Sequence, residues 1–210
     1  MRTKALLLTG ALLVVAGLTS LQAQTVFSVN AVGYVNVEVP SGFSIIANPL
    51  DAESNTVGAL FTDVPNGTTI YEFDAGTGLF SINSFVFGSW SAPDAGLEPG
   101  QGVYIFNPGT VAFTSTFVGE VRQGELTTVL PAGFSMASSQ VPQEGLISTD
   151  LALPAGSGDT VYLFRAGEFQ VFSQVFGSWS PEEPTVNVAE GFFISKAAAA
   201  DWVRTFSVND

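Results

Sequence analysis

The segment VFGSWS occurs twice, at 86–91 and at 175–180, and this repetition predicts the organisation of the chain. PSGFS at 40–44 is matched in the same way by PAGFS at 131–135. Two further pairs keep a similar spacing: TTIYEFDAG at 68–76 with DTVYLFRAG at 159–167, and GQGVYIF at 100–106 with AEGFFIS at 189–195. Similarity at a fixed period is the signature of duplicated structural units, so we expect two tandem repeats of about 90 residues each.

The local pattern within both repeats is that of β-strands. Val35, Val37 and Val39 alternate with polar residues up to Pro40, as in a half-buried strand. The run VYIF at 103–106 is continuously apolar, which is typical of a strand buried on both faces. With 22 glycines and 11 prolines as turn residues, the pattern predicts an all-β fold with a β-sandwich or barrel-like sheet in each repeat.

Shorter segments give more local expectations. Phe80 and Ile82 alternate with polar neighbours, which predicts another half-buried strand, and the second repeat has the same alternation around Phe169. The stretches 56–61 and 197–202 could be helical.

The segment between the repeats resembles the end of the chain. TFVGEV at 116–121 matches TFSVND at 205–210, so we expect one strand to close the first repeat and open the second. No Ser- or Pro-rich spacer intervenes, which indicates a stiff pair of units. The predicted organisation is a signal peptide at 1–23, a first β repeat at 24–118 and a second at 119–210.

Residues 1–23 have the layout of a secretory signal peptide. Arg2 and Lys4 precede an apolar run at 5–18, and the segment ends on the small residue Ala23. The alternative is a retained membrane anchor, but the run is short for a bilayer and no second run of that length follows. We therefore expect cleavage near Ala23, no membrane span in the mature chain, and a secreted protein that is periplasmic or extracellular.

The composition excludes several kinds of chemistry. The 210 residues include no cysteine and no histidine, so the chain has no thiolate nucleophile, no Cys-ligated metal site and no Ser-His-Asp triad. Its 6 basic and 19 acidic residues give a net charge of -13 at pH 7, which repels the phosphate backbone of nucleic acids. We therefore expect no nucleic-acid partner and no cofactor.

Several motifs together resemble a known group of sequences. These are NAVGY at 30–34, PSGFS at 40–44, GSW at 88–90 and PGQGVY at 99–104. The chain resembles uncharacterised exported, β-rich tandem-repeat proteins of environmental Gram-negative bacteria, over nearly all of its mature length. The resemblance implies export and an all-β fold, and it implies no activity, ligand or catalytic residue.

Carboxylates are the remaining candidates for catalysis or metal binding. Glycoside hydrolysis needs two of them about 5–10 Å apart, and no motif singles out a pair. Calcium prefers oxygen ligands, but Asp51 and Glu53 form no recognisable calcium loop. Whether calcium binds stays open at this point, and we expect a protein that is not an enzyme.

The two repeats can be compared position by position, and we call residues that align between them matched positions. Matched positions keep glycines and aromatic residues far more often than acidic ones, which indicates a retained scaffold. The retained pairs are Gly42/Gly133, Phe43/Phe134, Tyr71/Tyr162, Phe73/Phe164, Phe87/Phe176, Gly88/Gly177, Trp90/Trp179 and Gly102/Gly191.

Trp90 and Trp179 have two interpretations. A tryptophan after a Gly-Ser turn could present its ring to a sugar, or it could cap a core with its indole N–H bonded to a carbonyl. The apolar VFGSW context favours the core. Phe85 is matched by Gln174, so we expect Phe85 to face solvent or the neighbouring repeat, and it is the third candidate for carbohydrate binding.

The sequence therefore predicts an exported, non-enzymatic β-protein with a structural, adhesive or surface-associated role. The alternative is a carbohydrate-binding module that uses Trp90, Trp179 and Phe85. Expected partners are a cell-surface polysaccharide or another exported protein.

Overall fold

The structure is a computed structural model that describes residues 31–209, and the predicted signal peptide at 1–23 lies outside the described residues. Within that range the chain is all-β, as predicted, with sixteen strands and one short helix. The elements are β1 (Val32–Val39), β2 (Gly42–Ala47), α1 (Val57–Leu60), β3 (Thr69–Asp74), β4 (Leu79–Val86), β5 (Ser89–Trp90), β6 (Gly102–Asn107), β7 (Phe113–Glu120), β8 (Gly124–Leu130), β9 (Gly133–Ala137), β10 (Gly145–Leu146), β11 (Thr160–Arg165), β12 (Glu168–Val175), β13 (Ser178–Ser180), β14 (Thr185–Val186), β15 (Phe192–Lys196) and β16 (Ala200–Phe206).

Two five-stranded antiparallel sheets have corresponding strand orders. The first sheet runs β2-β6-β3-β4-β5, and the second runs β9-β15-β11-β12-β13. Three two-stranded pairings accompany them, β1 with β7, β8 with β16 and β10 with β14. All of these pairings are antiparallel, and none of the sheets in the described range closes into a barrel.

Each large sheet has its own hydrophobic core on one face. The first core includes Ile70 and Ile105 of the sheet and Phe117 of β7. The second includes Val161 of the sheet and Trp202 of β16. Each sheet therefore buries one face against a local two-stranded ribbon, and its other face is left for different contacts.

One of the two predicted helical stretches is helical in the structure. Residues 56–61 contain α1, whereas the helix predicted at 197–202 is wrong because β16 begins at Ala200. Trp202 lies opposite Thr128 of β8 in the antiparallel register and is buried in the second core. Strand pairing and burial of this tryptophan outweigh the weak helix preference of the preceding alanines.

The expectation of a strand shared between the repeats is wrong. β7 pairs with β1 from Val39 opposite Phe113 to Val32 opposite Glu120, and β16 pairs with β8 instead. The proposed cut between residues 118 and 119 falls inside β7, and only residues 121–123 join β7 to β8.

Arg122 ties this short joint to both halves of the described chain. Its Nε donates to Asp51 at 3.1 Å and its Nη2 to Glu98 at 2.9 Å, both on the first half. Its Nη1 donates to the Gln140 side chain on the second half at 3.3 Å. The joint is thus held by charge-assisted bonds, as a stiff connection requires.

The second half contains a buried ion pair, and the matched positions of the first half, Thr68 and Asn107, are uncharged. The Lys196 ammonium contacts the Asp159 carboxylate, and both side chains are almost fully buried. The backbone N–H groups of Gly156 and Ala197 also donate to Asp159. Burial raises the pKa of Asp159, but these bonds and Lys196 outweigh it and hold the pKa below the ordinary value of 3.8.

We predict that Lys196→Met lowers the free energy of unfolding by about 3–5 kcal/mol, because it leaves a buried carboxylate unpaired. The matched positions in the first repeat are Thr68 and Asn107. The double variant Asp159→Thr with Lys196→Asn should therefore lose less stability than the single variant. Urea unfolding followed by circular dichroism measures both, and equal losses would contradict this assignment.

The same pair predicts an acid dependence. Because the folded pKa of Asp159 lies below 3.8, its stabilising contribution is complete above that pH and is lost as the pH falls through the folded value. The double variant should show a shallower loss of stability below that pH than the unmodified chain.

Candidate functional site

The tryptophans singled out as sugar platforms lie against the cores. Trp90 is only 6% exposed, and its indole Nε1 donates a 2.9 Å hydrogen bond to the Phe61 carbonyl oxygen. Trp179 is half-buried at the edge of the second core, with its Nε1 3.3 Å from the Ser148 hydroxyl. A sugar would find no open ring face at Trp90 and only a partial one at Trp179.

Phe85 is also directed to its own core, which corrects the expectation that it faces solvent or the other repeat. Its ring lies 5.4 Å from that of Trp90 and packs against the first core. The matched Gln174 is itself buried, so a polar residue at this position does not indicate exposure to solvent.

Several aromatic residues of the two large sheets lie on the faces that point away from the cores. In β3, Ile70 enters the core, while its neighbour Tyr71 lies on the opposite face and is only half-buried. In β4 the alternation is the reverse of what a core strand requires, because Phe80 and Ile82 are 43% and 63% exposed and Asn83 is buried.

The burial of Asn83 is compensated by three hydrogen bonds between its amide and the following loop. Its Nδ2 donates to the Ala92 carbonyl at 2.6 Å, and its Oδ1 accepts from the Ala92 N–H at 2.9 Å and the Ser91 hydroxyl at 3.0 Å. These hydrogen bonds offset the cost of removing the amide from water. The side of β4 that carries Asn83 can therefore face the core. Phe80 and Ile82 thereby lie on the outer face, while Phe85, on the same side of β4 as Asn83, packs against the first core.

The outer faces of the two large sheets meet through their aromatic rings. The ring centroids of Tyr104 and Phe164 are 5.8 Å apart, with an interplanar angle of 79°. Phe193 of the second half lies 5.4 Å from Phe73 and 6.3 Å from Phe80 of the first. Edge-to-face contacts of this kind add to the apolar area that the rings bury.

The backbones of the two halves approach each other closely at the matched glycines Gly102 and Gly191. A Cβ on Gly191 would lie 2.8 Å from the Ile46 carbonyl oxygen and 3.0 Å from the Gly102 Cα. Beside this point the Ala47 N–H donates to the Ala189 carbonyl oxygen at 2.9 Å. Only glycine permits this separation, so both repeats need glycine here.

Away from the glycines the two faces diverge and leave an open space, which we call the aromatic cleft. Its smaller compartment has a volume of about 340 Å³ and its larger one about 760 Å³. The smaller is lined by Phe43, Tyr71, Phe80, Tyr104 and Phe164. The larger is lined by Phe73, Gly78, Phe80, Tyr104, Phe134, Tyr162, Phe169, Val171 and Phe193.

The two compartments are lined by matched positions of the sequence. Each residue that lines the smaller compartment has its matched residue in the lining of the larger one. The pairs are Phe43/Phe134, Tyr71/Tyr162, Phe80/Phe169, Tyr104/Phe193 and Phe164/Phe73. The two compartments are thus lined by the same positions of the two halves of the sequence.

The cleft is uncharged and almost wholly apolar. The only polar side-chain groups among its lining residues are the hydroxyls of Tyr71, Tyr104 and Tyr162. Burial raises the pKa of Tyr104 above its ordinary value of 10.0, so this hydroxyl stays protonated at neutral pH. The arrangement suits stacking and apolar contact, and it offers no pair of acid and base groups.

The carboxylates singled out in the sequence do not assemble a metal site. In the part of the chain that the structure describes, no group of three or more acidic residues could hold a metal ion. Asp51 is occupied by Arg122 and by the Asn55 amide. Burial raises the pKa of Asp51, but these two partners outweigh it and lower the pKa below 3.8.

The aromatic residues of the cleft were visible in the sequence, but their place in the fold was not. Phe43/Phe134, Tyr71/Tyr162 and Phe73/Phe164 are retained pairs, which indicated a scaffold without showing which face of a strand carries them. They lie on the outer faces. The available signal in β3 was that Tyr71 and Phe73 alternate with Ile70 and Glu72, so the aromatic pair and Ile70 must lie on opposite faces.

No protein-family model, curated protein or solved structure matches the chain. Among residues 31–209 no helix has the length and apolarity needed to cross a bilayer.

We predict that Trp90→Ala lowers the free energy of unfolding by about 3–5 kcal/mol, the usual loss for a buried large aromatic residue. Trp179→Ala should cost clearly less, because its ring is half-buried and its hydrogen bond is longer. Urea unfolding of both variants gives the comparison. Equal and small losses, within about 0.5 kcal/mol of zero, would show that both rings are surface groups.

Proposed function

We propose that this protein is an exported, non-enzymatic, surface-associated β-protein made of two tandem sandwich-like units, and that it binds neutral apolar or aromatic ligands in the aromatic cleft. One observation carries the proposal. The same aromatic positions of both repeats are left half-exposed around an open, uncharged space, although each half already has its own core.

The exposure of these rings is the reason to assign them a ligand. Monomeric proteins rarely leave large contiguous apolar patches open to water, and such patches commonly mark interaction sites. Phe80 and Phe169 are 43% and 46% exposed, and Ile82 extends the same face. A ligand that covers them would bury apolar area that the fold alone leaves hydrated.

The electrostatics support binding rather than hydrolysis. The lining holds no carboxylate and no basic group, whereas a glycosidase needs two carboxylates flanking its substrate. The overall negative charge also disfavours anionic ligands. A neutral ligand that presents flat or apolar surfaces fits these conditions.

Carbohydrate binding is the second candidate function. Its site would be the aromatic cleft and not the tryptophans. The hydroxyls of Tyr71, Tyr104 and Tyr162 beside aromatic faces favour it, since sugars need both stacking and hydrogen bonds. The scarcity of other polar groups in the lining favours the apolar ligand.

The test uses N-phenyl-1-naphthylamine, a neutral aromatic dye that fluoresces in apolar sites. We predict saturable binding to the mature chain, weakened about tenfold or more by Phe80→Ser, because Phe80 lines both compartments. Val111→Ser is the matched control, since Val111 is exposed and lies outside the cleft, and it should bind as the unmodified chain does.

Absence of saturable dye binding, or equal affinity in Phe80→Ser and the control, would overturn the proposal. Binding to a panel of neutral oligosaccharides that is lost in Phe80→Ser, without dye binding, would establish the carbohydrate alternative.

A further inference from the structure

Two phenylalanines stand at the tips of matched hairpins, and we call them the tip phenylalanines. Phe87 joins β4 to β5, where Val86 lies opposite Ser89. Phe176 joins β12 to β13 in the same way, with Val175 opposite Ser178. Their side chains are 96% and 97% exposed, more than any other large apolar side chain of the described residues.

The backbone at these tips is unfavourable for phenylalanine. Phe87 has φ 55° and Phe176 has φ 50°, and each is followed by a glycine that also has positive φ. Two-residue hairpin turns of this kind prefer Asn-Gly, Asp-Gly or Gly-Gly, and a bulky residue there is an outlier. In the first hairpin the Asn66 side chain accepts a 2.8 Å bond from the Phe87 N–H and holds the turn.

Neither the folded structure nor solubility accounts for an aromatic residue at these positions. The ring buries almost nothing within its own chain, and asparagine would suit the turn better. Both hairpins nevertheless carry phenylalanine, although most other surface positions differ between the repeats. Strained and exposed residues of this kind are characteristic of functional contacts.

We infer that the tip phenylalanines of one copy of this protein insert into the aromatic cleft of another copy. This rests on the proposed function of the cleft and names its occupant. The chain carries both an apolar projection and an apolar recess that nothing in the described structure fills. Each compartment, at about 340 and 760 Å³, has room for a phenyl ring, and its aromatic walls give that ring edge-to-face partners.

The number of neighbours that one copy can bind follows from its number of tips and compartments. Each copy has two tips and two compartments, so it can engage more than one neighbour. A contact between two different surfaces of the same molecule does not close on itself unless the rotation happens to form a ring. The association is therefore expected to grow beyond the dimer, as a structural or adhesive layer requires.

Charge disfavours an anionic lipid surface as the partner of the tips. Each basic residue in the described range is already engaged: Arg122 with Asp51 and Glu98, Arg165 with Glu190, Lys196 with Asp159, and Arg204 with Gln143. No basic patch remains there to attract anionic headgroups, and the net charge of -13 repels them. Repulsion between copies is screened by salt, so self-association should increase with NaCl concentration.

The experiment is sedimentation of the mature chain over a range of protein and NaCl concentrations. We expect a mass that rises beyond the dimer in the unmodified chain. Phe87→Asn with Phe176→Asn should weaken association by roughly tenfold or more, as loss of aromatic anchors does. Because Asn-Gly suits these turns, this tip variant should melt at the same temperature or higher, so its loss of association cannot be ascribed to unfolding.

Two further samples make the assignment specific. The control Val111→Asn with Val129→Thr removes two exposed apolar side chains away from tips and cleft, and it should associate normally. A cleft variant, Phe80→Glu with Phe169→Glu, keeps its tips. It should not associate alone, but it should form a complex when mixed with the tip variant, which keeps its cleft. Val171→Glu replaces the cleft variant if that variant melts early.

A monomeric unmodified chain under all conditions would overturn the inference, as would undiminished association of the tip variant. Tip-dependent binding to vesicles of neutral phosphatidylcholine by a chain that stays monomeric would assign the tips to a membrane instead. The tip variant should still bind the dye in its cleft. Retained dye binding with undiminished association would refute the inference and leave the proposed function standing.

Discussion

The contact between the Gly102 and Gly191 backbones sets the distance between the two large sheets, and the rest of the arrangement depends on it. A Cβ at either position would meet backbone atoms of the opposite half at 2.8–2.9 Å. The Ser138 N–H donates to the Gly100 carbonyl oxygen at 3.0 Å close to this point. At this separation the aromatic side chains further out can touch in part, and the space that they do not fill is the cleft.

As a result, the two faces of each sheet make different contacts. Aliphatic residues such as Ile70 and Ile105 fill one face together with a local ribbon, so each half can be stabilised by its own core. The opposite face carries aromatic rings that stay partly exposed, because each half already has its own core. Matched aromatic positions line both halves of the cleft, and the close approach of two glycines places the two faces opposite each other.

The sequence was sufficient for the fold class and for the strands β1 and β6. It could not show which face of a strand is buried when both sets of side chains are apolar, as in β4, where a loop that satisfies Asn83 decides the matter. It suggested a shared strand because TFVGEV and TFSVND are alike, yet pairing partners are distant in sequence and leave no local signal. For the same reason the retained aromatics could be listed but not placed, and the cleft was missed.

The most direct measurement of the central claim is scanning calorimetry of Gly191→Ala. The added Cβ has no room between the sheets. We expect the unmodified chain to unfold in one transition and Gly191→Ala to unfold in two, one for each core. Gly96→Ala is the matched control, because a Cβ there meets open space, and it should unfold as the unmodified chain does. A single transition of Gly191→Ala at the temperature of the unmodified chain would show that the glycine contact does not hold the sheets together.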